Sequence, residues 1–200
     1  MKFLPEEGQF PVITSTERSF RISENTEVGH YVTTISAVSS KPGAKLTFHI
    51  SGGNTAESFI IQPTTGVLTS QKSLDYEMMK NYNLWIEARD DSTHPLSDYV
   101  MLNIDVEDEN DNWPVFDHLY YDAAVLENKG SESSVIKVMA TDADSGDNGR
   151  VTFRIVGDGG NSEFRIDPDT GDIHTRQMLN REAVDLYQLV VVASDNVSFP

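Results

Sequence analysis

From Tyr82 to Ala88 the chain alternates: Tyr82, Leu84, Ile86 and Ala88 fall on one face of an extended segment, and Asn83, Trp85 and Glu87 on the other. Period-two alternation marks an antiparallel strand with one buried face. Tyr187, Leu189, Val191 and Ala193 repeat the pattern. Short stretches rich in Val, Ile, Thr, Phe and Tyr recur along the chain, punctuated by Gly, Pro, Asn and Asp, so the chain reads as all-β. In its first half, strands are expected over about 10–22, 30–38, 45–51, 58–62, 66–70, 81–90 and 98–107. Pro63-Thr64-Thr65-Gly66 and Pro168-Asp169-Thr170-Gly171 read as tight turns, with Gly supplying positive φ.

The strand pattern is itself repeated. Leu46-Thr47-Phe48-His49-Ile50 returns as Val151-Thr152-Phe153-Arg154-Ile155, and Phe59 to Gly66 returns as Phe164 to Gly171. Glu77 matches Glu182 and Asp90 matches Asp195, all at an offset of 105, whereas Glu24 matches Glu127 at 103. A period this long is a whole domain rather than a solenoid unit. The 200 residues fit two β-sandwiches of about 100 residues each. No counterpart of the 98–107 strand follows Asp195, so the second sandwich is expected to lack its last strand within this chain. That leaves an open edge with an unsatisfied ladder, covered by something else. The natural chain is expected to continue, and Met1, which opens no apolar leader, reads as a fragment boundary.

Charge narrows the partners. Asp and Glu number 32 against 15 Lys and Arg, a net charge of −17. Phosphate recognition needs clustered bases, so nucleic acid and anionic membrane surfaces are excluded as partners. No apolar run approaches the ~20 residues that span a bilayer, so direct membrane insertion of this stretch is not expected. There is no Cys, which removes disulfide staples and thiolate chemistry. The acids gather at loop-like positions: Ser23-Glu24-Asn25, Leu74-Asp75-Tyr76-Glu77, Asp108-Glu109-Asn110-Asp111-Asn112, Asp142-Ala143-Asp144, Asp147-Asn148-Gly149 and Ser194-Asp195-Asn196. Ca²⁺ takes six to eight oxygen ligands from carboxylates, amides and carbonyls, and these motifs supply all three. An EF-hand loop starting at Asp142 fails, because position 12 is Phe153 rather than Glu. His30, His49, His94, His118 and His174 show no metal spacing, and no nucleophile motif suggests an enzyme.

In order and spacing, these motifs resemble the extracellular repeats of the cadherin superfamily. The resemblance rests on Glu24-Asn25 and Glu127-Asn128, Leu74 to Glu77, Asp108 to Phe116, Asp142-Ala143-Asp144 with Asn148-Gly149, and Ala193-Ser194-Asp195. It implies two tandem seven-stranded Greek-key β-sandwiches, over 8–108 and 114–200, joined by a calcium-binding linker at 109–113. It further implies three Ca²⁺ ions at that linker. Glu24, Asp75, Glu77 and Asp111 would hold the outermost. Glu24, Glu77, Asp108, Asp111, Asp144 and the carbonyl of Glu109 would hold the middle one. Asn110, Asp142, Asp144, Asp195 and the carbonyls of Asn112 and Asn148 would hold the third. Carboxylates packed into one linker repel by up to about 4 kcal/mol per close pair at an effective dielectric near 20, which divalent cations offset.

The resemblance also carries a function: calcium-dependent cell–cell adhesion by the extracellular part of a plasma-membrane protein, with other cadherin ectodomains, homophilic or heterophilic, as partners. The alternative within the family is a spacer or mechanical tether without a recognition surface. The first unit departs from the pattern, having Ser36-Ala37-Val38-Ser39-Ser40 where the second has Thr141-Asp142-Ala143-Asp144, although Asp90 remains. A joint preceding it would lack its third-ion ligands, so this unit is either the outermost repeat or follows a calcium-poor, flexible joint; the second reading is favoured and leans toward a long cadherin of the Fat, Dachsous or protocadherin kind. Trp85 and Trp113 are the only Trp, so strand exchange by an N-terminal Trp is not expected. Glu127 and Glu182 are candidate ligands of the next linker, whose outermost ion is weakened by Asn180 in place of a carboxylate. Asn196-Val197-Ser198 is a glycosylation sequon. Trp85, on the outward side of its strand, is a candidate contact, and Trp113 is expected to pack at the linker.

Overall fold

A computed structural model describes residues 10–39, 41–157 and 162–195. The chain divides into two compact units, Met1–Glu109 and Asn110–Pro200. In the first lie β1 (Val12–Ile13), β2 (Ser19–Ser23), β3 (Tyr31–Thr34), β4 (Ala37–Val38), β5 (Leu46–Gly52), β6 (Phe59–Ile61), β7 (Val67–Ser70), β8 (Asn81–Asp90) and β9 (Ser97–Glu107). In the second lie β10 (Val115–Phe116), β11 (Ser134–Lys137), β12 (Ala140–Thr141), β13 (Thr152–Val156), β14 (Phe164–Ile166), β15 (Asp172–Thr175) and β16 (Val190–Ser194). Among the described residues the helical content is one 3₁₀ turn, Thr55–Glu57.

The first unit is a sandwich of a four-stranded sheet, ordered β2-β9-β8-β5, and a three-stranded sheet, ordered β3-β7-β6. Alternation fills the space between them. Leu84 and Ile86 of β8 and Leu102 and Ile104 of β9 are fully buried and meet Phe59, Ile61 and Leu68 of the other sheet. Burying a side chain of this kind contributes roughly 1.5–3 kcal/mol, which is how the period-two pattern becomes a fold.

The stretch expected as one strand over 10–22 is two strands, β1 and β2. β1 pairs antiparallel with β4, Val12 opposite Val38, whereas β2 pairs parallel with β9, Phe20 opposite Ile104. One straight strand cannot serve both, so the chain crosses over between them. Thr14 N–H donates to Ser36 O at 2.8 Å and Ser36 N–H to Ser15 Oγ at 2.7 Å, pairing backbone groups that no ladder reaches. The stretch expected over 30–38 likewise splits into β3 and β4 around Ile35, whose N–H turns to Gly66 O at 2.8 Å.

Gly66 shows why that turn needs glycine. Its φ is +72°, and a Cβ there would lie 2.1 Å from the Ile35 carbonyl oxygen. Gly171 repeats this at φ +75°, 2.3 Å from the Val138 oxygen. The glycines are 105 apart and the carbonyl partners 103 apart. β1–β4 and β10–β12 also correspond at 103, since Val12 opposes Val38 and Val115 opposes Thr141. The length change therefore falls between β4 and β5, where the second unit is two residues longer (105 − 103).

Aromatic packing repeats as well. Phe59 and Tyr82 meet edge to face at 5.0 Å, and Phe164 and Tyr187 at 5.1 Å. Among the described residues of the second unit, β13 and β16 form a two-stranded sheet where the first unit has four strands. The expected alternation from Tyr187 to Ala193 becomes strand only over Val190–Ser194, against Asn81–Asp90 in β8. β8 is held from both sides by β5 and β9, whereas among the described residues β16 pairs with β13. Tyr187, Leu189, Val191 and Ala193 nonetheless all pack on the core formed by Val138, Phe153, Phe164, Ile173 and Leu179.

Candidate metal centre

In the first unit the acidic set is built around Glu24, which follows the last residue of β2. Parallel pairing with β9 brings the end of β2 beside Glu107, and Glu24 N–H donates to Glu107 O at 3.1 Å. Its carboxylate is buried (5% exposed) and receives Glu109 N–H on Oε1 at 2.8 Å and Tyr76 N–H on Oε2 at 2.6 Å. Each carboxylate oxygen has two lone pairs, so one on each remains for a cation. Carboxylate oxygens of Glu24, Glu77 and Asp108 lie within 4.8 Å of one another. Three like charges so close favour a divalent cation among them. Asp75 is set by its own turn, with Met78 N–H donating to Asp75 Oδ1 at 2.8 Å.

Glu109, expected to ligate by its carbonyl, is anchored through two other groups. Its N–H caps Glu24, and its Oε1 accepts from Ser23 Oγ at 2.6 Å. Ser23, which opens the Ser23-Glu24-Asn25 motif, is thereby a positioning residue, a role the motif alone did not assign.

In the second unit Asp144 is buried (8% exposed) and accepts from Asn112 twice, N–H to Oδ2 at 3.3 Å and Nδ2 to Oδ1 at 2.7 Å. Asn112 Nδ2 also reaches Asp111 Oδ1 at 2.8 Å, and Asn110 Nδ2 donates to Asn148 O at 3.4 Å. Asp142 Oδ1 accepts Asp144 N–H at 3.0 Å, closing a tight turn. Its other oxygen, Oδ2, is buried and has no hydrogen-bond partner. Burying an unpaired carboxylate oxygen is costly, and a cation coordinated there would satisfy it. The donors are all oxygens, from carboxylates, side-chain amides and carbonyls, which fits Ca²⁺ better than a transition metal. Asp195 follows β16, whose partner β13 starts with Thr152 opposite Ser194.

The end of the second unit that carries Glu127 copies the Glu24 arrangement: Glu127 Oε2 accepts Arg181 N–H at 2.9 Å, as Glu24 accepts Tyr76. Asn180 Oδ1 accepts Glu182 N–H at 2.9 Å and Ala183 N–H at 3.3 Å, so the amide keeps the Asp75 turn while losing its charge. Asn196 lies outside the described residues. Trp113 is 74% exposed.

Trp85 is 48% exposed and sits opposite Met101 in the β8–β9 register, with Tyr99 one row along; Met101 is 44% and Tyr99 52% exposed. Glu87, opposite Tyr99, accepts from Ser97 Oγ at 2.5 Å and Tyr99 Oη at 3.0 Å. The Ser97 hydroxyl, more than any other group, holds the Glu87 carboxyl below its ordinary range.

Two tandem β-sandwich units, each carrying acidic, oxygen-rich loop motifs, define a class of extracellular-type repeat protein. A Cadherin domain model matches residues 18–107 and 121–200, and the chain belongs to the cadherin family. It is 40% identical over 191 residues to mouse Protocadherin Fat 4, covering 96% of this chain and 4% of that protein. It is 38% identical over 192 residues to human Protocadherin Fat 1, covering 95% of this chain and again 4% of the relative. Among solved structures, mouse Cadherin-23 EC22-24 superposes with a TM-score of 0.85 at 27% identity, covering 96% of this chain and 62% of the other. No helix among the described residues is long and apolar enough to cross a membrane.

Proposed function

We propose that these two repeats belong to the extracellular part of a plasma-membrane cadherin that mediates calcium-dependent cell–cell adhesion, with another cadherin ectodomain as partner. Three Ca²⁺ ions at the linker 109–113 rigidify the pair of repeats, which occupy 8–108 and 114–200. The carrying observation is the buried, unpartnered Oδ2 of Asp142. The clustered carboxylates of Glu24, Glu77 and Asp108 add to it. The segment 108–112 belongs to both sets: Asp108 stands with Glu24, and Asn112 bonds Asp144. Glu24, Asp75, Glu77, Asp108, the Glu109 carbonyl, Asn110, Asp111, Asn112, Asp142, Asp144, Asn148 and Asp195 are the ligand set of this reading.

Trp85, Met101 and Tyr99 favour adhesion over a passive spacer. Trp and Tyr dominate interface hot spots, and Met is enriched at such surfaces. Half-exposed and adjacent on one sheet face, they form a recognition surface rimmed by Glu87 and Asn103. The test is aggregation of beads coated with the chain, in millimolar calcium and in chelator. Clumping in calcium alone, abolished by Trp85→Ala, is the expected result for a homophilic site. Clumping that survives Trp85→Ala removes this surface from the reading, and clumping unaffected by chelator removes the calcium dependence.

A further inference from the structure

The end of the first unit that carries Asp90 holds a cation of its own. The β4 and β12 registers put Val38 where the second unit has Thr141. Counting on, Ser39 stands at Asp142 and Lys41 at Asp144, a shift from the pairing that sequence alone suggests. The turn geometry agrees: Lys41 N–H donates to Ser39 Oγ at 3.2 Å, as Asp144 N–H donates to Asp142 Oδ1 at 3.0 Å. Asp90, the counterpart of Asp195, has a fully buried carboxylate. Lys41 Nζ lies 2.9 Å from Asp90 Oδ2 and 3.0 Å from Ser92 Oγ. Asp90 Oδ1 accepts from Ser92 Oγ at 2.6 Å, Ser92 N–H at 3.2 Å and Leu96 N–H at 3.4 Å.

We infer that the Lys41 ammonium replaces a calcium ion at this end of the first repeat, making that end a calcium-independent terminus with a built-in counterion. The inference rests on reading Asp142, Asp144 and Asp195 as cation ligands. Where the second repeat has two carboxylates and an unpartnered oxygen, the first has a hydroxyl, an ammonium and a closed ion pair. A divalent ion entering beside Asp90 would meet the ammonium at close range, with Asp90 as the one carboxylate of the three positions. A side chain fixed by two hydrogen bonds and 24% exposed is poorly placed to swing away. The hydroxyl and ammonium donors around Asp90 also hold its carboxyl well below the ordinary range, so it stays charged and paired without metal.

The experiment is a calcium titration of the 200-residue chain followed by backbone amide NMR. Expected are calcium-dependent shifts at Asn112, Asp142 and Asp144, with Lys41, Ser92 and Leu96 unmoved at saturating calcium. In Ser39→Asp/Lys41→Asp, which restores the carboxylate pair, Ser92 and Leu96 should respond to calcium at millimolar concentration. Shifts at Ser92 and Leu96 in the unsubstituted chain would overturn the inference. Silence at Asn112, Asp142 and Asp144 would instead sink the linker reading. Lys41→Met in chelator should lower the melting temperature of the first repeat by at least about 4 °C. The double variant Lys41→Met/Asp90→Asn should recover most of that loss, because both charges are gone. An unchanged melting temperature in Lys41→Met would show that the ammonium is not the counterion.

Discussion

Asp144 concentrates the chemistry of the second repeat in one side chain. It is buried, both its oxygens accept from Asn112, and its own N–H fixes the turn that aims Asp142. In the proposed ligand set it is shared by two ions, so its loss should be felt twice. Asp144→Ala is expected to weaken calcium binding by about tenfold or more, roughly 1.4 kcal/mol per decade, in isothermal titration calorimetry. Affinity equal to that of the unsubstituted chain would count against the ligand assignment. Sequence made Asp144 visible because Asp-x-Asp is a compact signal. It gave Ser23 no role of its own and left Lys41 unseen, since a serine and a lysine carry no metal signature and take their meaning from partners 86 and 49 residues away.

At the scale of the strand, β8 shows how one element divides its labour. Leu84 is fully buried against the opposite sheet, and its neighbour Trp85 faces out. Leu84→Ala removes packed methyl groups and leaves a cavity, so it should cost about 2–5 kcal/mol of stability. Trp85→Ala changes an exposed position and should stay within about 0.5 kcal/mol. Urea denaturation of the two variants separates these effects, and comparable losses would mean that Trp85 supports the fold rather than a contact. The alternation that assigned these faces is legible in the sequence. The splitting of β1 from β2 is not: both halves are extended and apolar enough for strand, and the break arises because their hydrogen-bond partners, β4 and β9, lie in different sheets.

For the whole molecule the governing quantity is charge. A net charge of −17 opposes any close gathering of its acidic loops. In the proposed reading three divalent ions offset that repulsion. A site at ten times its dissociation constant contributes about 1.4 kcal/mol to the bound form, and extracellular modules bind calcium at about 10⁻⁴–10⁻³ M. Removing calcium should therefore free the junction between the repeats. Small-angle scattering in millimolar calcium and in chelator should differ, with a broader distance distribution in chelator. Superimposable profiles would refute a rigidifying role. The chain spans 4–6% of the length of the curated relatives it matches most strongly.

By itself the sequence determined what is local and periodic. Alternation specified strand faces, because side chains of a strand point to opposite sides at every step. The 105-residue offset specified two copies of one fold, and the acidic motifs specified oxygen-rich chemistry. The tertiary structure decided whatever depends on which strand lies beside which. It switched the chain between sheets after β1 and located the two-residue length change between β4 and β5. It also set Lys41 against Asp90. Two residues 49 apart become an ion pair only when β4 and β8 end at the same pole of the sandwich, and no local pattern encodes that meeting.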